Sequence, residues 1–138
     1  MKPYTHKVQY YETDKMGITH HSNYIRWMEE ARTDFLEQIG WSYKKLEDLG
    51  IISPVTSVDC KYRKTTTFAD LIEIKVWIEA FKGVKLVLGY TMTNCATNDI
   101  VCTAHSEHCF LDETGNIVRL KKAFPEFEEI LIQLANNS

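Results

Sequence analysis

Several features are missing from this chain of 138 residues, and each absence removes a class of function. No segment approaches the roughly 20 apolar residues that span a bilayer, and the opening "MKPYTHKVQYYETD" has no apolar stretch of a secretory leader. Membrane insertion and secretion are not expected, and a cytoplasmic location is. The cysteines, Cys60, Cys95, Cys102 and Cys109, form no Cys-x-x-Cys pair and share no zinc-type spacing with the histidines, so a reduced protein without a metal site is expected. The formal net charge is −3 with both signs interspersed, which provides no concentrated basic face for a nucleic acid. There is no Gly-x-Ser-x-Gly elbow and no Cys/His pairing of a nucleophilic triad.

What is present fits one globular domain over residues 1–138, with 44% hydrophobic residues, enough for a single core. Val8 and Tyr10 alternate with polar neighbours and predict a first strand ending near Tyr11 or Glu12. From Asn23 to Ile39 the period becomes helical: Tyr24, Met28, Ala31, Phe35 and Ile39 share a face, with Ser22 or Asn23 as cap and Gly40 past the end. Ile25, Trp27 and Leu36 widen that face, so the helix should be buried on more than one flank. "SYKKLEDLG" reads as a short second helix. Strands then dominate: an irregular lead-in around Pro54, clean alternation from Ile72 to Ala80, a turn at Gly83, strands over 85–94 and 100–111 joined at Asn98-Asp99, and a C-terminal helix from Pro125. The class is α+β, with an antiparallel sheet and helix on one face.

Chemistry concentrates in "YYETDKMGITHHSNYIRW", where strand gives way to helix. Asp14 and Gly17 alone would be turn residues. The helix that opens a few residues later changes their weight, because the first N–H groups of a helix lack intrahelical partners and carry partial positive charge. A carboxylate facing those donors is placed to attack a carbonyl, or to activate water, while the helix entry receives the oxygen's developing charge.

"ETDKMGITHHSNYIRWMEEAR" resembles the signature of the 4-hydroxybenzoyl-CoA thioesterase-like branch of the hotdog-fold acyl-CoA thioesterases: Asp, Gly three residues on, then His-x-Asn-Tyr opening a long helix. Asp14, Gly17, His21, Asn23 and Tyr24 match it, and the element order agrees from Tyr4 to about Pro125. The resemblance implies a hotdog fold, with an antiparallel sheet wrapped around the long helix. It also implies hydrolysis of an acyl-CoA to carboxylate and CoA, with Asp14 as general base or nucleophile. The His21 main-chain N–H would serve as oxyanion donor, and Asn23 and Tyr24 would hold the geometry. No cofactor is implied beyond the CoA of the substrate. Homodimers, or tetramers built from two dimers, are implied, with the site shared between subunits. A thiolate leaves readily, so one carboxylate and a helix entry suffice where an amide would need more acid help.

The remaining candidates stem from that expectation. Gly17 and His20 border the corner; His20 would touch the acyl group or assist a water. Arg63, Lys64, Lys82 and Lys85 are candidate partners for CoA phosphates, although a basic cluster is ordinarily solvated surface. Val55, Thr56, Val58 and Trp27 are candidates to line the acyl pocket. Thr13 would support the Asp14 loop. Glu12, one of a possible carboxylate pair, should point away in an extended segment. Adjacent His20 and His21 do not share a helical face, so a cluster with His6, His105 and His108 is not expected; by parity His105 and His108 lie on opposite faces of their strand. Two other functions fit the same fold: a dehydratase or hydratase on acyl thioesters, which needs a paired His and acid, and a non-catalytic acyl-CoA-binding module.

Overall fold

A computed structural model describes residues 1–137. Five strands form one antiparallel sheet in the order β1-β3-β4-β5-β2: β1 Tyr4–Lys7, β2 Val55–Tyr62, β3 Leu71–Lys82, β4 Lys85–Asn94 and β5 Ile100–His108. Helix α1, Ser22–Gln38, crosses its inner face and meets β1, β3 and β2, while α2 is Tyr43–Asp48, α3 Leu120–Ala123 and α4 Pro125–Asn136. This is the expected α+β arrangement.

Alternation decides which face is buried. Ile72, Ile74 and Ile78 of β3 and Leu86, Leu88, Tyr90 and Met92 of β4 point inward and are almost wholly buried. Each such aliphatic side chain removed from water contributes about 1.5–3 kcal/mol. Helix α1 answers with Tyr24, Trp27, Met28, Ala31, Phe35 and Leu36, whereas Ile25 is exposed. Burial on two flanks therefore holds for Trp27 and Leu36 but not for Ile25. Helix α4 packs on β3, and its Phe127 stacks on Trp41 with ring centroids 4.6 Å apart.

Several boundaries differ from the sequence pattern; β5, for one, ends at His108 where a strand to residue 111 is expected. The first strand stops at Lys7, and Tyr10–Glu12 is a 3₁₀ turn with Tyr10 exposed. Glu12 enforces the turn, because its side chain reaches back to accept from Gln9 N at 2.8 Å. The long helix starts at Ser22 with His21 at its cap position, one residue earlier than Asn23. At the far edge, β2 is exposed along nearly its whole length.

On the outer face, Trp77 of β3 lies flat over Gly89 of β4, its direct partner in the ladder. A Cβ at position 89 would collide with the indole ring. Gly89→Ala should expel the ring and its hydrogen bond to Glu79, costing about 1–3 kcal/mol in chemical denaturation. In a Trp77→Ala background most of that cost should vanish; an equal loss in both backgrounds would show that the indole is not the obstacle.

Candidate active site

The corner between β1 and α1 is built on Glu12. Its Oε1 accepts from Gln9 N at 2.8 Å and from His6 Nε2 at 2.8 Å, and its Oε2 accepts from Trp27 Nε1 at 2.7 Å. Its main-chain carbonyl accepts from His20 N at 2.9 Å and from Asn23 Nδ2 at 3.0 Å. One buried residue thus ties β1, the 3₁₀ turn and the helix entry together. The other nitrogen of the His6 ring meets Glu30 Oε1 at 3.2 Å, and Tyr4 donates to that same oxygen at 2.8 Å. Glu12 does not line the Asp14 cavity, as expected, but it sits in a 3₁₀ turn and not in the extended segment on which that expectation rests.

Above this base the chain doubles back as a small hairpin closed by the Thr13–Thr19 bridge. Asp14 N donates to Ile18 O and Gly17 N to Asp14 O, both at 2.9 Å, and Gly17 has φ +78. Gly17 is required by that left-handed conformation; it does not line a cavity, and its carbonyl accepts from Thr67 Oγ1 at 2.8 Å. Thr13 supports the loop through Oγ1, which donates to Tyr10 O at 2.7 Å.

Asp14 is half-buried and lines a cavity of about 390 Å³ with Met16, His21, Tyr24, Tyr62, Arg63 and Lys64 among its walls. Its Oδ1 accepts from Met16 N at 2.8 Å, and among the described residues Oδ2 has no partner. The helix entry shows a matching selectivity. Ser22 N donates to the His20 ring at 3.2 Å, Asn23 N to His20 O at 3.0 Å and Tyr24 N to His21 O at 3.2 Å. The His21 N–H donates to no group among the described residues. A free carboxylate oxygen and a free amide at the positive end of α1 therefore belong to residues that face one cavity.

The other sequence candidates sort by position. Tyr24 is buried in the cavity wall, its hydroxyl 3.0 Å from Thr66 Oγ1, which in turn donates to Thr19 Oγ1 at 2.6 Å. Burial raises the Tyr24 pKa above the ordinary phenol value, so it stays neutral. Asn23 braces the corner from beneath and does not reach the cavity. His20 is exposed, turns its ring to Ser22 and stacks on His21 at 4.3 Å; it caps the helix and does not line the cavity. Arg63 and Lys64 stand at the cavity, exposed, with Lys64 3.2 Å from Asp99 and Arg63 Nε 3.2 Å from Thr103 Oγ1.

Lys82 and Lys85 do not join them within this chain. They pair across the Gly83 hairpin at the opposite end of β3, roughly 36 Å of strand from Leu71, and Lys85 is engaged by Glu107 at 2.5 Å. Trp27 is committed to Glu12 and the core, and lines no cavity with Asp14. Val55 and Val58 do line a smaller cavity further along α1, whereas Thr56 does not. Among the described residues no cluster of His, Cys, Asp and Glu could hold a metal ion. No helix is long and apolar enough to cross a membrane.

Sequence reasoning missed Tyr62 and Thr66. Tyr62 donates to His21 O at 3.2 Å and packs edge-on to Tyr24 at 5.0 Å, which closes the cavity over the helix entry. The one signal was the alternation of Val58, Cys60 and Tyr62 toward α1.

The cavity that His21 lines holds the carboxylate of Asp14 and neither serine nor cysteine, and an antiparallel sheet wrapped around a long helix is the arrangement of the hotdog-fold thioester hydrolases. A family model described as the thioesterase-like superfamily matches residues 8–134, and the chain belongs to that superfamily. It is 35% identical over 121 residues to a putative acyl-CoA thioesterase, YneP, of Bacillus subtilis, covering 88% of each chain. It is 36% identical over 120 residues to a putative esterase of Aquifex aeolicus, 86% of this chain and 91% of that one. Among solved structures, a DHNA-CoA thioesterase from Staphylococcus aureus superposes with a TM-score of 0.91 at 33% identity, covering 99% of this chain and 93% of that one.

Glu12 generates a prediction. Burial pushes its pKa up, but the hydrogen bonds from Gln9, His6 and Trp27 outweigh burial and leave it below the ordinary 4.5. Its ionised form therefore stabilises the fold fully above about pH 4.5, and that stability is lost as pH falls through the lower folded value. Glu12→Gln should cost about 2–4 kcal/mol at pH 7, with the gap to the parent narrowing in acid. Urea denaturation across pH checks this, and a gap that widens below pH 4 would contradict the assigned role.

Proposed function

We propose that the protein hydrolyses an acyl-CoA thioester to a carboxylate and free CoA, with Asp14 and the His21 amide at the reacting carbonyl. The observation that carries this reading is the single cavity shared by Asp14, with an unengaged carboxylate oxygen, and His21, with an unengaged N–H at the start of α1. The carbonyl oxygen would take the amide hydrogen bond as negative charge develops on it. In the general-base route Oδ2 of Asp14 accepts a proton from water as its oxygen bonds to the acyl carbon. The C–S bond then breaks, and the proton passes to the departing thiolate. In the nucleophilic route the same oxygen bonds to the carbon first and the C–S bond breaks to release the thiolate; water then cleaves the mixed anhydride to free the Asp14 carboxylate and the product acid, whose proton passes to the thiolate or to solvent. Anchoring of Oδ1 by Met16 N holds the carboxylate in one orientation, which suits the general-base route.

Arg63 and Lys64, at the cavity mouth, supply charge for the CoA phosphates without making the protein basic. The names carried by relatives support the substrate class. Besides the Bacillus subtilis protein, one 25% identical over 112 residues is a 1,4-dihydroxy-2-naphthoyl-CoA hydrolase of Thermosynechococcus vestitus. The exposed edge strand β2, with unpaired backbone along one side, is the surface on which a second copy would add to the sheet, forming a dimer and from it a tetramer. A second copy would also bring its own basic residues near the cavity, the route by which Lys82 and Lys85 would regain a part in binding. A cytoplasmic location would suit a CoA substrate.

Asp14→Asn should lower kcat for CoA release from a responsive acyl-CoA by about 10²–10⁴-fold while leaving the thermal melt near that of the parent. CoA release at the parental rate would remove Asp14 from the chemistry. Arg63→Ala with Lys64→Ala should instead raise KM and flatten its dependence on salt, with kcat little changed. A fall in kcat alone would place these cations elsewhere in the mechanism.

A further inference from the structure

One helical turn beyond the Asp14 cavity, along the same seam between α1 and β2, lies a second cavity of about 130 Å³. Tyr24 and Tyr62 wall the first, Ile25, Met28, Val55 and Val58 wall the second, and the Cys60–Met28 sulfur contact at 3.5 Å sits between them. The floor of the second cavity is polar and buried: Tyr90 is 1% exposed, Ser106 4% and His108 1%.

These side chains form a hydrogen-bonded line that ends on Arg32. Arg32 Nη1 lies 2.7 Å from His108 Nδ1, His108 Nε2 lies 2.6 Å from Ser106 Oγ, and Ser106 Oγ lies 2.7 Å from the Tyr90 hydroxyl. A guanidinium only donates, so His108 Nδ1 accepts and the ring of a neutral His108 carries its hydrogen on Nε2. Burial first, and then the Arg32 charge, push the His108 pKa down to about 3, so the ring is neutral at pH 7.

Directionality then leaves one hydrogen over. The line holds one N–H from Arg32, one from His108 and the two hydroxyl hydrogens of Ser106 and Tyr90, and its three links consume only three of those four. Whichever way the hydroxyls turn, the spare hydrogen belongs to Ser106 or Tyr90, both of which line the cavity and neither of which has a further partner among the described residues. A buried donor without an acceptor costs about 1–3 kcal/mol. The charge on Arg32, held also by Glu29 Oε1 at 3.1 Å, polarises the line toward the cavity.

We propose that this second cavity receives the distal end of the acyl group, and that this end carries a neutral oxygen, a hydroxyl foremost, which accepts the spare hydrogen of the Tyr90–Ser106 pair. The inference rests on the acyl-CoA reading above and narrows its substrate class. A carboxylate end is disfavoured because Glu29 lines the same cavity and would repel it. An all-hydrocarbon end fits the apolar walls but leaves the donor unmatched. Helix α1 rises roughly 10 Å between the His21 amide and Met28, which sets the span from reacting carbonyl to distal oxygen.

The test uses pairs of non-hydrolysable acyl-CoA thioethers, each in plain and distally hydroxylated form and graded in length, titrated by calorimetry into the parent protein. The hydroxylated member should bind about tenfold more tightly at the matching length. A Tyr90→Phe/Ser106→Ala double variant should bind the plain member as the parent does and lose the preference at that length, because the donor then left, His108 Nε2, lies 2.6 Å from where Ser106 Oγ stood. If that variant does not fold, Tyr90→Phe should keep the preference, because the spare hydrogen then belongs to Ser106 alone, and a preference lost with the Tyr90 hydroxyl would overturn the hydrogen count. Equal affinities in the parent, as expected if water alone satisfies the donor, would overturn the proposal, and so would a preference that survives removal of both hydroxyls. Parallel CoA-release assays with the matching thioesters keep the two readings separate. Preferential binding without any release would sink the hydrolase reading and leave this one standing; release without preference would do the reverse.

Discussion

A carboxylate taken out of water is costly unless its lone pairs are filled, and Glu12 is buried with every near neighbour serving that need. His6, Gln9 and Trp27 converge on its side chain, while His20 and Asn23 take its carbonyl. Because those donors come from β1, the 3₁₀ turn and α1, the residue fixes how the sheet edge meets the helix. The hairpin bearing Asp14 grows from the next residues of chain and inherits that placement. The corner is therefore rigid at its base and open at its top, as a site needs when it must hold a reacting group without a lid.

The open side is spare in its chemistry. Three amides at the start of α1 are satisfied locally by His20 and His21, and the one that remains belongs to a residue in the Asp14 cavity. Tyr24, Thr66 and Thr19 form a neutral hydrogen-bonded wall beside it, so the charges at the cavity are, besides the exposed cations Arg63 and Lys64, the Asp14 carboxylate and the helix dipole. Such a pairing matches a thioester, whose leaving group needs little protonation, better than an amide or a phosphate ester.

Much of this was legible in the chain. The helical recurrence of Tyr24, Met28, Ala31 and Phe35 located α1, because a helix crossing a sheet must present that stripe. Asp14 emerged from its place at a strand-to-helix corner, where neighbours in sequence are neighbours in space, and His21 and Tyr24 from the resemblance of that stretch to a known family. What the pattern did not show depended on individual side-chain contacts, near in sequence as well as far. Val8 and Tyr10 alternate as a strand would, yet the Glu12 side chain bends the backbone into a turn after Lys7. His20, a candidate substrate contact, turns its ring to Ser22 and does not line the Asp14 cavity. Lys82 and Lys85 lie at the other end of β3 from the cavity of their own chain, since a basic pair says nothing about which end of a long strand it will occupy. Tyr62 carries only the mark of its alternation with Val58 and Cys60, and Thr66 none; Tyr62 reaches the helix entry because β2 runs antiparallel at the sheet's edge, and Thr66 from the chain that follows that strand.

The most direct measurement is a crystal structure with a non-hydrolysable acyl-CoA ketone analogue, in which a methylene separates the sulfur from an intact carbonyl. The expected result places the carbonyl oxygen about 2.7–3.1 Å from the His21 amide nitrogen, with Asp14 on the opposite side of the carbonyl carbon, in contact with it directly or through one water. A carbonyl oriented away from His21, or an analogue seated in a cavity that excludes Asp14, would contradict the pairing of carboxylate and helix entry on which the proposed chemistry depends.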